Sequence, residues 1–391
     1  MHTKKNLQPD YQDILAFTDR LHQSGCAPRS VANYTKSYAN NRDIVLSIDV
    51  TPTKIITVFE EPIQRVVLQD KKPPSVNLQK LVATLKAIGT KNIYSAPKGY
   101  SNLVRCIANI LLPPCYLMLV GSTYTAVFIS MFLGLVAWLA QKLFTGERAI
   151  LIEFFVALIS SFVIGLLASV IPDIPILALC IASIVLFIPG LTVTNALSSL
   201  ALNDFRSGIE LLAQSALVVI KIFIGVILGL SLATLLSDYS TATTFVNEIS
   251  LTLQVVALIG ISVAIGVIFN ASRIDIMIGL PAAAIGMWGP HWFTADWVVG
   301  TWISTMIITL YGLLAGRIRN VPALVYIIQG IIILVPGSRI IVGASETFFS
   351  TAILPIPNIG LSALLMFCAI VAGQIMIYSI FSERFFSSIK H

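Results

Sequence analysis

Two Pro-Gly pairs interrupt apolar runs of the sequence, and their surroundings contain the best candidates for a binding site. Pro189-Gly190 follows one apolar run and Pro336-Gly337 follows another. Proline lacks a backbone donor and glycine loosens the turn, so each pair is expected to break a helix. The N-terminus of a following half-helix offers N–H donors and a positive dipole to an anion such as a carboxylate. The pairs therefore predict a site for a small carboxylate-bearing molecule, although each pair alone would also fit a simple helix end.

Polar side chains follow both breaks. Thr192 and Asn195 come after the first, and their hydroxyl and amide groups suit a polar zwitterion. Ser338, Arg339 and Glu346 come after the second. If that segment is helical, Arg339 and Glu346 lie two turns apart on one face. They would then pair with each other, or Arg339 would bind a substrate carboxylate while Glu346 binds an ammonium group or a proton.

Two further charged residues are candidates because they lie in or beside apolar segments. Lys221 is in the apolar run 211–236. A lysine at the centre of a membrane span costs roughly 2.5–3.5 kcal/mol, so it needs an acidic partner, a water-filled cavity or an anionic substrate. The alternative is a purely structural lysine. Asp275, next but one to Arg273, is expected mainly to anchor an interface and is a second proton-coupling candidate beside Glu346.

Composition defines the class of protein that must position these residues. The chain has 391 residues, of which 56% are hydrophobic and 11% charged, against about 25% charged in soluble domains. These values exclude a soluble globular, disordered or disulfide-rich chain and indicate a polytopic membrane protein. The five cysteines and four histidines show no metal-binding spacing, so no metal or cofactor is expected. No nucleotide loop, hydrolase motif or nucleic-acid motif is found, so an enzyme is not expected.

The N-terminal part is polar and basic. Residues 1–105 hold 15 Lys and Arg against 8 Asp and Glu. Its patterns predict a small cytoplasmic α+β domain over residues 1–90 and a linker over 91–103. One helix would end at Gly25, a second would follow Pro28, and Ser75 or Asn77 would cap a third. The strands are expected at residues 44–48, 54–59 and 65–69. The basic surface would be a solvated face near anionic lipid or a specific ligand site.

The remainder is expected to cross the membrane about ten times, because a span needs about 20 apolar residues. The candidate spans are residues 104–120, 124–141, 150–170, 176–191, 211–236, 251–269, 274–288, 297–315, 322–335 and 358–381. With the N-terminus in the cytoplasm, eight Lys and Arg residues fall on the cytoplasmic side and only Arg339 on the other. This asymmetry favours ten spans with both termini in the cytoplasm.

The two Pro-Gly pairs are five spans apart, so the segments that contain them would run in opposite directions. This spacing predicts a 5+5 inverted repeat, with halves over residues 104–245 and 246–391. Matching broken helices in two inverted halves are typical of the substrate site of a secondary transporter.

Several motifs resemble those of the threonine/serine exporter family of bacterial inner-membrane proteins. The N-terminal motifs are Gly25-Cys26-Ala27-Pro28-Arg29-Ser30-Val31, Thr51-Pro52-Thr53-Lys54-Ile55 and Val76-Asn77-Leu78-Gln79-Lys80-Leu81. The membrane motifs are Ile188-Pro189-Gly190 and Val335-Pro336-Gly337-Ser338. Residues 1 to about 245 are similar to the large component of two-subunit members. The remainder is similar to the small component, so the two are fused here.

The resemblance implies a ten-span antiporter that exports small hydroxy amino acids from the cytoplasm and is driven by the proton gradient. Its partners would be the amino acid, protons and the lipid bilayer, and a homo-oligomer is left open. Some members are associated with the export of dicarboxylates, chiefly succinate, and Lys221 departs from the family pattern. Succinate export is therefore the alternative, since Lys221 with Arg339 would suit two carboxylates. The alternatives from other classes are a membrane-anchored enzyme and a passive channel.

Overall fold

The structure is mostly helical, with one small sheet near the N-terminus. The computed structural model describes residues 9–60, 64–72, 75–86, 97–171, 174–236, 249–335 and 359–381. Pro336, Gly337, Ser338, Arg339 and Glu346 lie outside the described residues, so their predicted roles stay predictions.

The N-terminal part folds as three helices and a three-stranded antiparallel sheet. The elements are α1 Pro9–Gln23, α2 Pro28–Asn40, β1 Leu46–Val50, β2 Lys54–Phe59, β3 Arg65–Asp70 and α3 Leu78–Lys86. The strand order is β1-β2-β3, and Val50 pairs with Ile55 across the intervening turn. The first strand begins two residues later than predicted, because Asp43 has φ 54° and the Ile44 N–H donates to the Ala39 carbonyl. The backbone thus forms a turn at the end of α2 before β1 begins.

Local signals explain where these helices end. Gly25 has φ 78°, a backbone conformation that favours glycine, and it follows the end of α1. Asn77 Oδ1 accepts the Lys80 N–H at 3.0 Å and so caps α3. The core stacks Tyr11 on Phe59, with ring centroids 4.2 Å apart. These elements therefore share an apolar core of their own.

The rest of the described chain is a helical membrane protein. Its helices are α4 Asn102–Val120, α5 Tyr124–Leu143, α6 Ile152–Val170, α7 Ile176–Ile184, α8 Gly190–Ala201, α9 Phe205–Thr234, α10 Leu251–Ile268, α11 Arg273–Phe293, α12 Trp297–Arg319, α13 Leu324–Leu334 and α14 Ile359–Ile380. Seven helical segments in the described ranges are long and apolar enough to cross a membrane, or eight if the bent pair α7 and α8 forms one span. Helix α13 has only 11 residues and α11 contains two prolines.

Some span boundaries differ from the predicted ones. Helix α9 begins at Phe205 instead of 211, because Asp204 Oδ1 accepts the Ser207 N–H at 3.2 Å and caps the helix there. Helix α12 continues to Arg319 rather than ending at 315 and stops at Asn320, which has φ 52°. Polar and charged residues thus extend helices beyond their apolar portions.

Several helices pack along one another over much of their length. Helix α6 packs along α9 and α12 packs along α14, while α4 and α10 pack on each other. Gly225 permits the close approach of α6 and α9, because a Cβ built on it would lie 2.6 Å from the Phe154 carbonyl oxygen. Large apolar side chains on the outer face of α9 remain exposed, as expected for contact with lipid.

The N-terminal elements rest on two loops of the helical part. On the loop between α10 and α11, the Leu78 N–H donates to the Phe269 carbonyl at 2.9 Å and the Gln79 N–H to the Asn270 carbonyl at 3.0 Å. At the other contact, Arg29 donates to the Leu202 carbonyl in the loop between α8 and α9, and Arg206 in the first turn of α9 pairs with Asp49. These two loops therefore lie at the same end of the helical part.

Candidate functional site

The first Pro-Gly pair breaks a helix, as its residue types predict. Helix α7 continues as a short 3₁₀ turn, Val185–Phe187, and α8 starts at Gly190 with a bend of 58° between the two segments. At the break, Ile188 is extended and the Gly190 N–H donates back to its carbonyl at 2.8 Å. The first turn of α8 has no side-chain cap. The break thus leaves backbone donors of α8 without the partners that a continuous helix would supply.

The first break contacts the helix that leads into the second Pro-Gly pair. A Cβ built on Gly190 would lie 2.5 Å from Cγ1 of Val335. Val335 follows the last residue of α13 in an extended conformation and directly precedes Pro336. Only glycine fits here without a shift of its neighbour. The two halves of the chain therefore meet where the first break contacts the residue before Pro336.

Thr192 and Asn195 line a small cavity beside this contact. The cavity has about 90 Å³ open to the centres of water molecules, enough for several waters. Gln214 of α9 lines it as well. Within the described ranges, the side chains of these three residues are polar groups that line the cavity without a hydrogen bond to one another or to a neighbour. Thr194 differs, since its hydroxyl is buried and donates to the Gly190 carbonyl at 3.0 Å.

The opposite wall of the cavity comes from the N-terminal elements. It includes the turn between α1 and α2, the turn between β1 and β2, and Val76. His22 and Cys26 are buried there. One ring nitrogen of His22, Nε2, lies 3.0 Å from the Pro52 carbonyl oxygen. Burial lowers the pKa of His22 below its usual 6.5, so its ring is neutral at pH 7 and adds no charge to the cavity.

Lys221 has an acidic partner. Its Nζ donates to Glu153 Oε2 and to the Ile150 carbonyl oxygen, both at 2.8 Å, at the beginning of α6. The side chains of Lys221 and Glu153 are 26% and 19% exposed. The negative charge of Glu153 offsets the positive charge of Lys221 in the apolar run 211–236, and the ion pair links α6 to α9.

Asp275 is buried in a polar network between α10, α11 and α13. Its Oδ1 accepts the Tyr326 hydroxyl at 2.7 Å, and its Oδ2 accepts the Ser272 hydroxyl at 2.5 Å. Its carbonyl accepts the Gln329 amide at 3.2 Å, and Gln329 Oε1 accepts the Ser262 hydroxyl at 2.7 Å. Asp275 is therefore a hydrogen-bonded carboxyl group inside the helical part, and less an interfacial anchor than its position in the sequence indicated.

Several residues of this arrangement were not predicted from the sequence. Gln214 and Gln329 are isolated amides in apolar runs, and this isolation is the signal that singles them out. Tyr326 lies one turn before Gln329 on the same helix face. His22 and Cys26 carry no local signal, because their place in the cavity depends on how the N-terminal elements dock.

Comparison with known proteins supports the resemblance over part of the chain. A family model described as "Putative threonine/serine exporter" matches residues 90–233. The matched region contains the first break, Thr192, Asn195 and Lys221, and it excludes the N-terminal motifs and the second half. No curated protein and no solved structure gives a significant match. Residues 90–233 are therefore similar to the threonine/serine exporter family, the family that the motifs indicate.

Proposed function

We propose that the protein is a secondary transporter that exports threonine or serine from the cytoplasm in exchange for protons. The observation that carries the proposal is the contact of Gly190 with Val335. This contact brings the first broken helix, with its uncapped first turn, against the residue that precedes Pro336. Broken helices that meet between two halves are the arrangement in which secondary transporters bind substrates.

The packing of the helices supports a 5+5 inverted repeat with ten spans. In each half the third helix lies along the fifth, as α6 does with α9 and α12 with α14, and the first helices of the halves, α4 and α10, pack together. The count of ten requires α11, which has 21 residues, to cross as well, and it requires α13, which has 11, to cross together with the residues that follow it. The two halves would then rock against each other around the breaks.

The position of the N-terminal elements supports the proposed orientation. They contact the loops between α8 and α9 and between α10 and α11, which are two of the basic loops assigned to the cytoplasm. The N-terminal α+β domain would therefore be cytoplasmic in a bacterial inner membrane, and the C-terminus would lie on the same side.

The lining of the cavity supports a hydroxy amino acid over succinate. None of its described lining residues is Asp, Glu, Lys or Arg, which suits a zwitterion better than a dianion. Lys221, the second cation that succinate would need, is neutralised by Glu153 at 2.8 Å. Proton coupling would fall to Glu346, as predicted, or to Asp275 in its buried network.

Transport in proteoliposomes tests the function. Vesicles loaded with unlabelled threonine should accumulate labelled threonine by exchange, and a proton gradient should drive net movement. Serine should compete and succinate should not. A flux without exchange acceleration would indicate a channel, and exchange of succinate alone would establish the dicarboxylate alternative. Failure of every substrate would contradict the proposal, provided that the reconstituted protein retains its folded state.

A further inference from the structure

The N-terminal elements are attached to the helical part unequally at two places. On one side, two backbone hydrogen bonds join Leu78 and Gln79 to the loop between α10 and α11, and Leu78 is buried in the core of α4 and α10. The Gln79 side chain also donates to the Ala271 carbonyl at 3.2 Å, and the Asn270 amide donates to Asn77 Oδ1 at 3.1 Å. This side is a buried attachment that would be costly to separate.

The other attachment is polar and combines exposed contacts with one hydrogen bond between the buried residues Ser207 and Val50. Arg206 pairs with Asp49 at 2.6 Å, and their side chains are 68% and 54% exposed. The Ser207 hydroxyl donates to the Val50 carbonyl at 3.3 Å, and Arg29 donates to the Leu202 carbonyl at 3.0 Å. Exposed ion pairs contribute little to stability because water and salt compete for both charges. With one buried hydrogen bond, at 3.3 Å, against the two backbone bonds and the buried Leu78 of the first side, this side would separate more easily.

The cavity of Thr192 and Asn195 lies between the N-terminal elements and α8, so any opening of these elements would expose it. Gly25 contributes to the covering wall in a conformation that brings its backbone against Val76, since a Cβ on Gly25 would lie 2.8 Å from Val76 Cα. Gln214 faces the same space from α9. The N-terminal wall of the cavity is thus closely packed at Gly25 and Val76. The contact of the N-terminal elements with Arg206 is weaker.

We propose that the N-terminal elements are a lid that completes and closes a cavity for a small hydroxy amino acid. The hinge is the contact of residues 77–79 with 269–271, and the latch is the contact of residues 49–50 with 206–207. The proposal rests on the proposed function for the identity of the ligand. Thr192, Asn195 and Gln214 would offer hydroxyl and amide groups to the zwitterion, and the latch would open to admit it from the side of the N-terminal elements.

Cross-linking tests whether the latch must open. Asp49→Cys with Arg206→Cys joins the lid to the helical part through a short reducible bis-methanethiosulfonate, in a background whose natural cysteines are replaced by alanine and whose transport is verified. The matched control is Asp19→Cys with Lys71→Cys, which replaces another 2.6 Å ion pair that lies wholly within the N-terminal elements. Cross-linking the latch should stop threonine exchange, reduction should restore it, and the control should retain it. Full exchange with the latch cross-linked would overturn the lid.

A second measurement needs no transport and so separates failure of the lid from failure of the proposed function. Cys26 is 6% exposed on the cavity wall, and its alkylation by a maleimide reports opening when it is the only cysteine retained. Arg206→Gln should speed that alkylation about two- to fivefold, as expected for loss of an exposed ion pair. Lys71→Gln should change it less. Equal rates in wild type and Arg206→Gln would show that the latch does not hold the lid.

Discussion

At the scale of single residues, Asp275 can be tested for the proposed proton coupling, since its buried carboxyl group accepts hydrogen bonds from Tyr326 and Ser272. Asp275→Asn keeps the shape and removes the charge. If Asp275 couples transport to protons, the variant should retain exchange of labelled for unlabelled threonine and lose accumulation driven by a proton gradient. Proteoliposome assays with and without the gradient measure both activities.

The control for Asp275 is Tyr326→Phe, which removes the 2.7 Å hydrogen bond and keeps the carboxyl group. This variant should remain coupled to protons, with a shifted pH dependence. Asp275 also accepts the Ser272 hydroxyl at the beginning of α11, so it has a structural role in any case. Gradient-driven transport at the wild-type rate in Asp275→Asn would leave only that structural role.

His22 gives the N-terminal elements a pH-dependent stability. Burial is the largest cause of its lowered pKa, and the positive charge of Lys71 lowers it further. Because the unfolded chain takes up the proton more readily, stability is full above about pH 6.5 and falls as the pH drops toward the lowered pKa. The thermal unfolding midpoint of the protein in detergent should therefore be lower at about pH 5.5 than at about pH 7.5.

His22→Gln is the test of that assignment, since glutamine can still donate to the Pro52 carbonyl and does not titrate. The variant should reduce the difference in unfolding midpoint between the two pH values. Its midpoint at the higher pH should fall by less than that reduction. An unchanged pH difference in the variant would assign the effect to other titrating groups.

At the scale of elements, the meeting of the two halves can be tested at Gly190. Gly190→Ala places a Cβ against Val335 Cγ1, and such overpacking costs about 1–3 kcal/mol. We expect slower transport and a lower unfolding midpoint. Val335→Ala removes the obstructing methyl group, so the double variant should recover both properties. Additive losses in the double variant would show that these residues do not interact.

Local chemistry explains which elements could be predicted from the sequence. The break at Pro189, the end of α1 near Gly25 and the cap at Asn77 all follow from residue types within a few positions. The start of β1 was wrong by two residues, because the turn at Asp43 depends on a hydrogen bond to α2. The early start of α9 depends in a similar way on capping by Asp204.

The candidate site was predictable only in part. Thr192 and Asn195 follow a Pro-Gly pair, so their sequence position alone singled them out. Gln214 is on α9, the helix after the one that carries Thr192 and Asn195. The sequence did not identify the acidic partner of Lys221, because Glu153 is 68 positions earlier in the chain. Such contacts arise from helix packing, which hydropathy and spacing leave undetermined.

At the scale of the whole molecule, the N-terminal elements join the two halves. They contact the first half through Asp49 and Val50 and the second through Leu78 and Gln79. The family match, which ends at residue 233, gives no information about the second of these contacts. The N-terminal elements therefore connect helices before residue 236 with helices after residue 249.

The backbone bonds of Leu78 and Gln79 have a consequence for a chain cut in two between residues 236 and 249. The N-terminal fragment would still bind the second fragment through hydrogen bonds to the carbonyls of residues 269 and 270. The N-terminal elements would then hold the two fragments together. Coexpressed fragments should copurify through a tag on either one, and Asn77→Ala, which removes the bond to Asn270, should reduce their recovery. Undiminished recovery after deletion of residues 1–86 would assign the association to the contacts between the helices of the two fragments, such as α4 with α10 and α8 with α13.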